Sequence, residues 1–266
     1  LCLQDYQAIF VVFRKVAIKH DHPTSIVWQN NSYINFGITK TNTPFVSTAT
    51  ATNAVVQYAS GAIKNIHIKT AESLPITSDW TVSFQPKLDN AFTTKFTYLT
   101  DFSLHPDKRI KYFAGTAVYQ NKLNIPAAAV TGTKQLMLDL GSLNDIVAVK
   151  INGKDLGVLW YPPYVMDISS AAKAGINTLE IAVTNNWANR LIGDEQEPAD
   201  FEWGTDRGER GIAMKAYPDW FIKNQARPSK GRKTFSIWYY YRANSKLMPA
   251  GLVGPVQLNI QDAIAF

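Results

Sequence analysis

Six carboxylates fall between Asp194 and Asp206: Asp194, Glu195, Glu197, Asp200, Glu202 and Asp206. Glycoside hydrolysis needs two carboxyl groups across a sugar-sized cleft, about 5 Å apart for retention or about 6.5–9.5 Å for inversion. The cluster supplies enough carboxylates, but closeness in sequence does not make any two converge. With Pro198, Gly204 and Gly208 among them it reads as a solvated or arginine-paired loop, and catalysis by this chain is not expected.

Sugar binding asks for different groups. Pyranose rings stack their C–H faces on Trp or Tyr, and their hydroxyls need Asn, Asp, Glu or Arg partners. The segment NNWANRLIGDE offers Asn186, Trp187, Asn189, Arg190, Asp194 and Glu195 directly after a strand end. Trp160, Tyr161 and Tyr164 come from the preceding loop and Trp203 from the following one. Two other uses compete for these residues. Trp187 can pack on the sandwich while Arg190 pairs with Asp194 or Glu195 and fixes the loop. Alternatively, the aromatics and Arg190 can contact another domain, since such residues concentrate at interface centres.

Other chemistry finds little support. His20, His22, His67 and His105 are scattered, and His20-x-His22 lacks a third ligand at zinc spacing. No glycine-rich phosphate loop and no Gly-x-Ser-x-Gly elbow occurs. The single cysteine, Cys2, excludes an internal disulfide. The net charge of +6 is mild, and the densest basic stretch, Lys223 to Lys233, is broken by Pro228 and reads as a loop. Nucleic acid is therefore not an expected partner. No apolar run approaches the roughly 18–20 residues of a membrane-spanning helix.

The elements that must position these residues are strands. The chain has 266 residues, 46% of them hydrophobic, with seven Trp and twelve Tyr. AIFVVFRKV (Ala8–Val16) is a near-continuous apolar run of strand length. Ala54–Tyr58 and Ala62–Lys69 flank a Ser60-Gly61 hairpin signal. In the second of these Ile63, Ile66 and Ile68 break phase, which predicts a bulge. Trp80–Phe84, Phe92–Leu99, AGTAVYQNKLNIP, QLMLDLG, VAVKING, TLEIAVTN, TFSIWYYY and PVQLNI follow as short strands. Asn152-Gly153 marks a turn after VAVKI. Helical signals are few: Asp167–Ala174, capped by Ser169 and ended by Gly175, and a turn at Pro218-Asp219. Many short strands without intervening helices predict an all-β fold, a β-sandwich or jelly roll.

The motifs also carry a resemblance. NGKDLGVLW followed by GINTLEIAVTN is similar to the galactose-binding-like jelly rolls attached to glycoside hydrolases. With YQAIFVVFRK, WTVSF, IKYFAGTAVYQ, LDLGSL, NNWANRLIGDEQ and GLVGPVQL in order, the chain resembles the C-terminal part of glycoside hydrolase family 106, which contains α-L-rhamnosidases. The likeness is weakest between His20 and Thr70. In that family the catalytic carboxylates lie in an upstream (β/α)8 barrel, and no repeated strand–helix units occur here.

The resemblance therefore implies a non-catalytic accessory region and transfers no catalytic residue. Residues 1–77 are expected to form a small strand-rich segment completing or linking to an upstream domain. Residues 78–266 are expected to form the galactose-binding-like jelly roll. Its implied role is to brace the catalytic barrel and to contribute to binding of a rhamnose- or galactose-containing plant polysaccharide. The alternative is a stand-alone carbohydrate-binding module. Related jelly rolls often hold a structural calcium ion, for which Asp139, Asp145 and Asp167 are donors with nothing to choose among them. The start at Leu1, without Met and inside a strand-like run, marks an expected fragment of a longer polypeptide. An exported bacterial protein, periplasmic or extracellular, is the expected setting.

Overall fold

A computed structural model describes residues 21–30, 34–38, 43–208, 211–234 and 236–266. The expected strand Ala8–Val16 lies outside the described residues. The first strands are β1 (Pro23–Trp28), β2 (Asn35–Ile38), β3 (Pro44–Ser47), β4 (Thr52–Tyr58) and β5 (Ile63–Ile68). β4 and β5 form the expected hairpin, with Gly61 at φ +86°. Their register runs unbroken from Thr52 opposite Ile68 to Gln57 opposite Ile63, so the expected bulge is absent. The mismatch in phase is absorbed differently. Ile66 and Ile68 point inward, while Ile63 sits on the outer side, 67% exposed. Val46, Ala54, Val56, Ile66 and Ile68 make one small core.

The remaining strands build a larger sandwich. They are β6 (Glu72–Pro75), β7 (Trp80–Pro86), β8 (Phe92–Phe96), β9 (Gly115–Ile125), β10 (Lys134–Asp139), β11 (Ile146–Ile151), β12 (Lys154–Leu159), β13 (Val165–Asp167), β14 (Gly175–Thr184) and β15 (Gln257–Asp262), and the last strand, β16 (Ile264–Ala265), returns to the sheet of β2 and β3. A six-stranded sheet runs β12-β11-β14-β9-β7-β8 and a four-stranded sheet β13-β10-β15-β6, with every strand pair in them antiparallel. The protein is an all-β sandwich of the jelly-roll kind.

Two strands cross between the cores. β6 pairs with β15 in the sandwich, and β16 pairs with β3 beside the small core. Pro75 is tolerated because β6 is an edge strand.

Alternation explains the layers. In β14 Asn177, Leu179, Ile181 and Val183 point inward, and Leu136 and Leu138 of β10, with Leu140 just beyond it, face them from the other sheet, all buried. Each such aliphatic side chain contributes about 1.5–3 kcal/mol on burial. Asn152 (φ 51°) and Gly153 (φ 78°) make the tight turn that joins β11 to β12, both in the left-handed region. At one end of the sandwich Phe84, Phe96, Phe102, Phe113 and Tyr119 form a ring cluster, with Phe84 stacked on Phe92 at 4.7 Å.

Two expected elements differ. Over Asp167–Ala174 the expected single turn forms, Ala171 and Ala172 N–H both donating to Ile168 O, but Ser169 does not cap it. The Ser169 hydroxyl instead accepts from the Leu136 N–H at 2.9 Å, and Asp167 caps the turn by accepting from Ser169 N–H. TFSIWYYY forms no ladder among its described residues. Trp238 makes one isolated bridge to Ala213, while Tyr239 stacks on Trp203. The backbone pairing is limited to that bridge, with Met214 N–H donating to Ile237 O and Tyr239 N–H to Ile212 O, and side-chain packing supplies the rest. The turn at Pro218-Asp219 does open a short helix, as expected.

Candidate functional site

NNWANRLIGD is not a loop. It forms a helix, α2 (Ala188–Asp194), where β14 ends. Among the described residues α1 (Lys108–Lys111) and α3 (Asp219–Ile222) are the other α-helices. Asn185 anchors the entry to α2: its Oδ1 accepts from Gly115 N–H and its Nδ2 donates to Phe113 O. Asn186, exposed, accepts from Ala188 N–H at 2.9 Å and stabilises the first turn. Buried Asn189 exchanges two hydrogen bonds with the Met248 backbone, at 2.7 and 2.8 Å. Gly193 allows close contact, since a Cβ there would meet the Tyr112 ring at 2.5 Å.

The carboxylates leaving α2 are tied by arginines. Asp194, 1% exposed, pairs with Arg190 at 2.8 Å through one oxygen. Its other oxygen accepts from Lys233 N–H (3.1 Å), Thr234 N–H (2.6 Å) and the Thr234 hydroxyl (2.7 Å). Glu195 takes two bonds from Arg232, at 2.9 and 3.4 Å, and Arg232 also donates to the Glu197 and Pro198 carbonyls. Asp200 is gripped by Arg227, whose guanidinium lies 5.0 Å from the Trp220 ring centre. Glu202 pairs with Lys215 at the surface, which holds its carboxyl below the usual range. These contacts hold the excursion of residues 195–248 between α2 and β15, whose described residues have little regular structure.

The other sequence candidates separate. Trp203 stacks on Tyr239 at 4.6 Å and meets Phe201 edge-on, within that excursion. Trp160, 64% exposed, meets Tyr161 edge-on on the loop after β12. Tyr164 is buried in the sandwich core. Trp187 and Arg190 alone among the candidates line a cleft of about 410 Å³ at the sandwich end. Its facing wall is the turn after β7, Phe92 of β8, and α1.

Lys108, Arg109 and Lys233 complete the cleft, and the sequence reading missed them. The signal was present: Asp107 ahead of Lys108-Arg109 is a capping pattern, and Asp107 does cap α1. Arg109 chelates Asp107 and lies 4.6 Å from the Phe92 ring centre, holding the Asp107 carboxyl below its usual range.

Two buried polar side chains engage the 251–252 backbone. Tyr119 Oη accepts from Leu252 N–H, and Asp145 accepts from Gly251 N–H at 2.8 Å. Burial, and secondarily the charge of Asp101, pushes the Asp145 carboxyl up to about 6. The donors named for calcium are each engaged with a backbone amide: Asp139 with Gly141, Asp145 with Gly251 and Asp167 with Ser169. No cluster of three His, Cys, Asp or Glu side chains suited to a metal occurs among the described residues. No helix among them is long and apolar enough to cross a membrane.

A Formosa agariphila protein named "Putative beta-glucuronidase" is 35% identical to this chain over 227 residues, which are 85% of this chain and 19% of the relative. The chain is related to glycoside hydrolases. It spans about a fifth of that relative's length. A rhamnosidase from Novosphingobium sp. PP1Y matches in structure with TM-score 0.55 at 23% identity, covering 89% of this chain and 25% of that one. This likeness is one of fold. The Ruminococcus gnavus beta-glucuronidase overlaps 72% of this chain and 29% of its own, at 15% identity and TM-score 0.43. No family model matches.

Proposed function

We propose that this chain is a non-catalytic accessory region of an α-L-rhamnosidase-like glycoside hydrolase, which braces the catalytic barrel and binds plant polysaccharide. One observation carries the reading: Asp194, Glu195 and Asp200 are each held by their own arginine. Carboxylates bound this way serve the fold of the 195–248 excursion. They are poor candidates for a proton donor and a nucleophile facing one sugar. The excursion in turn exposes Tyr217, Phe221, Ile222 and Tyr240, the kind of surface that packs against a neighbouring domain.

In this reading residues 1–77 form the strand-rich linking segment and 78–266 the galactose-binding-like jelly roll, coupled by the exchanged strands β6 and β16. The parent protein is exported to the periplasm or beyond. The test is to incubate the chain with aryl α-L-rhamnoside and aryl β-glucuronide. No release of the aryl group is expected. Turnover abolished by Glu195→Gln would overturn the reading.

A further inference from the structure

We infer that the cleft between α1 and α2 binds an anionic saccharide, one carrying a carboxylate or a sulfate. This rests on the reading that the region binds carbohydrate, and it names the class of sugar and the place.

A volume of about 410 Å³ lies within the range of small-ligand sites, roughly 300–1,000 Å³. Trp187, 40% exposed, offers an indole for the apolar face of a pyranose. Four cations line the walls, Lys108, Arg109, Arg190 and Lys233, against the carboxylates Asp89 and Glu197.

Arg109 is held by Asp107 and Arg190 by Asp194, so the available cations of the cleft are Lys108 and Lys233. Lys108 makes no ion pair with a described residue. Lys233 meets Asp89 at 3.3 Å with both side chains partly exposed, a weak and exchangeable contact. Arg190 donates to Asp194 and its Nη1 reaches the Tyr112 carbonyl at 3.4 Å, while its Nε is buried, so it contributes charge to the wall more than a free donor. Of the carboxylates at the end of α2, Asp194 is divided between Arg190 and the 233–234 backbone, and Glu195 faces Arg232.

Further cations adjoin the lining in sequence, namely Lys87, Lys111 and Lys230. A cleft with cationic walls concentrates anions and gives them charge-assisted hydrogen bonds that a neutral sugar cannot make.

The test is calorimetric titration of the whole chain at low and at moderate salt. The probes are a galacturonic acid trimer, a sulfated galactose oligosaccharide and a neutral galactose oligosaccharide of equal length. One or both anionic sugars should bind at least about tenfold more tightly than the neutral one, and more weakly as salt rises. The stronger of the two identifies carboxylate or sulfate as the recognised group. Lys108→Glu, at an exposed position, should cost about tenfold or more for the anionic sugar with the circular dichroism unchanged. Equal binding of the neutral sugar, or indifference to Lys108→Glu, would overturn the anionic assignment and leave carbohydrate binding standing. No heat from any of the three would overturn both.

Discussion

Replacing Asp194 by Ala removes the centre of the contacts that hold residues 195–248. Two backbone N–H groups, from Lys233 and Thr234, lose their acceptor, as does the Thr234 hydroxyl. Arg190, with its side chain 18% exposed, loses its counter-ion. Leaving a buried donor unmade costs about 1–3 kcal/mol, and breaking a buried ion pair from one side about 3–5 kcal/mol. These losses overlap, because water reaches the opened site and Arg190 keeps the Tyr112 ring 5.8 Å away. The expected net loss is about 4 kcal/mol, or about 8–16 °C in melting temperature for a chain of this size.

Asp194→Asn keeps one carbonyl acceptor and should lose about half as much. Because Asp194 ties an excursion and not the sandwich core, the loss should appear first as local opening. Urea melts followed by tryptophan fluorescence measure the first quantity, and limited proteolysis with mass spectrometry locates the second. New cleavage should fall within residues 195–248 while the sandwich fragment survives. A variant within about 1 kcal/mol of the parent, with no new cleavage there, would refute this role for Asp194.

Three further outcomes follow from the same geometry. The Asp145 carboxyl titrates near 6 in the folded chain against an ordinary value of 3.8, so the folded state holds the proton more tightly. The contribution of Asp145 to stability therefore falls as pH rises from about 4 to about 6, by about 3 kcal/mol, and is level above that. Asp145→Asn should remove this slope, seen as the difference between parent and variant urea midpoints across pH 4–7. Gly193→Ala places a methyl 2.5 Å from the Tyr112 ring and should cost about 1–3 kcal/mol in a chemical melt through overpacking. Tyr119→Phe strands the buried Leu252 N–H and should cost about 1–3 kcal/mol in the same assay.

The sandwich was legible where burial on one face imposes a period of two. The runs of β10, β11 and β14 are such cases, and Asn152-Gly153 marks its turn because only a few residue types accept two successive left-handed conformations. α2 was not legible. Its seven residues carry little helical periodicity, and its hold comes from Met248, Lys233 and Thr234, far along the chain. TFSIWYYY misled because aromatic residues favour strands in general, while here Trp203 and Ala213 take up Tyr239 and Trp238.

The acidic cluster read as a solvated or arginine-paired loop, and Arg190 was expected to pair with Asp194 or Glu195, of which it takes Asp194. Which arginine meets Glu195 or Asp200 was not foreseen, because Arg232 and Arg227 return from a fold no local pattern encodes. The cleft itself joins α1, the turn after β7 and α2, three segments whose meeting only the sandwich determines.

The most direct measurement on the central claim, a region that binds saccharide without cleaving it, is a nuclear magnetic resonance titration held for a day in one sample. The Trp indole N–H signals of the chain and the anomeric signals of a galacturonate oligosaccharide are followed together. The expected result is a saturable shift of the Trp187 indole while the oligosaccharide stays intact. New reducing-end signals that grow with time, or a Trp187 signal that does not move at millimolar sugar, would contradict it.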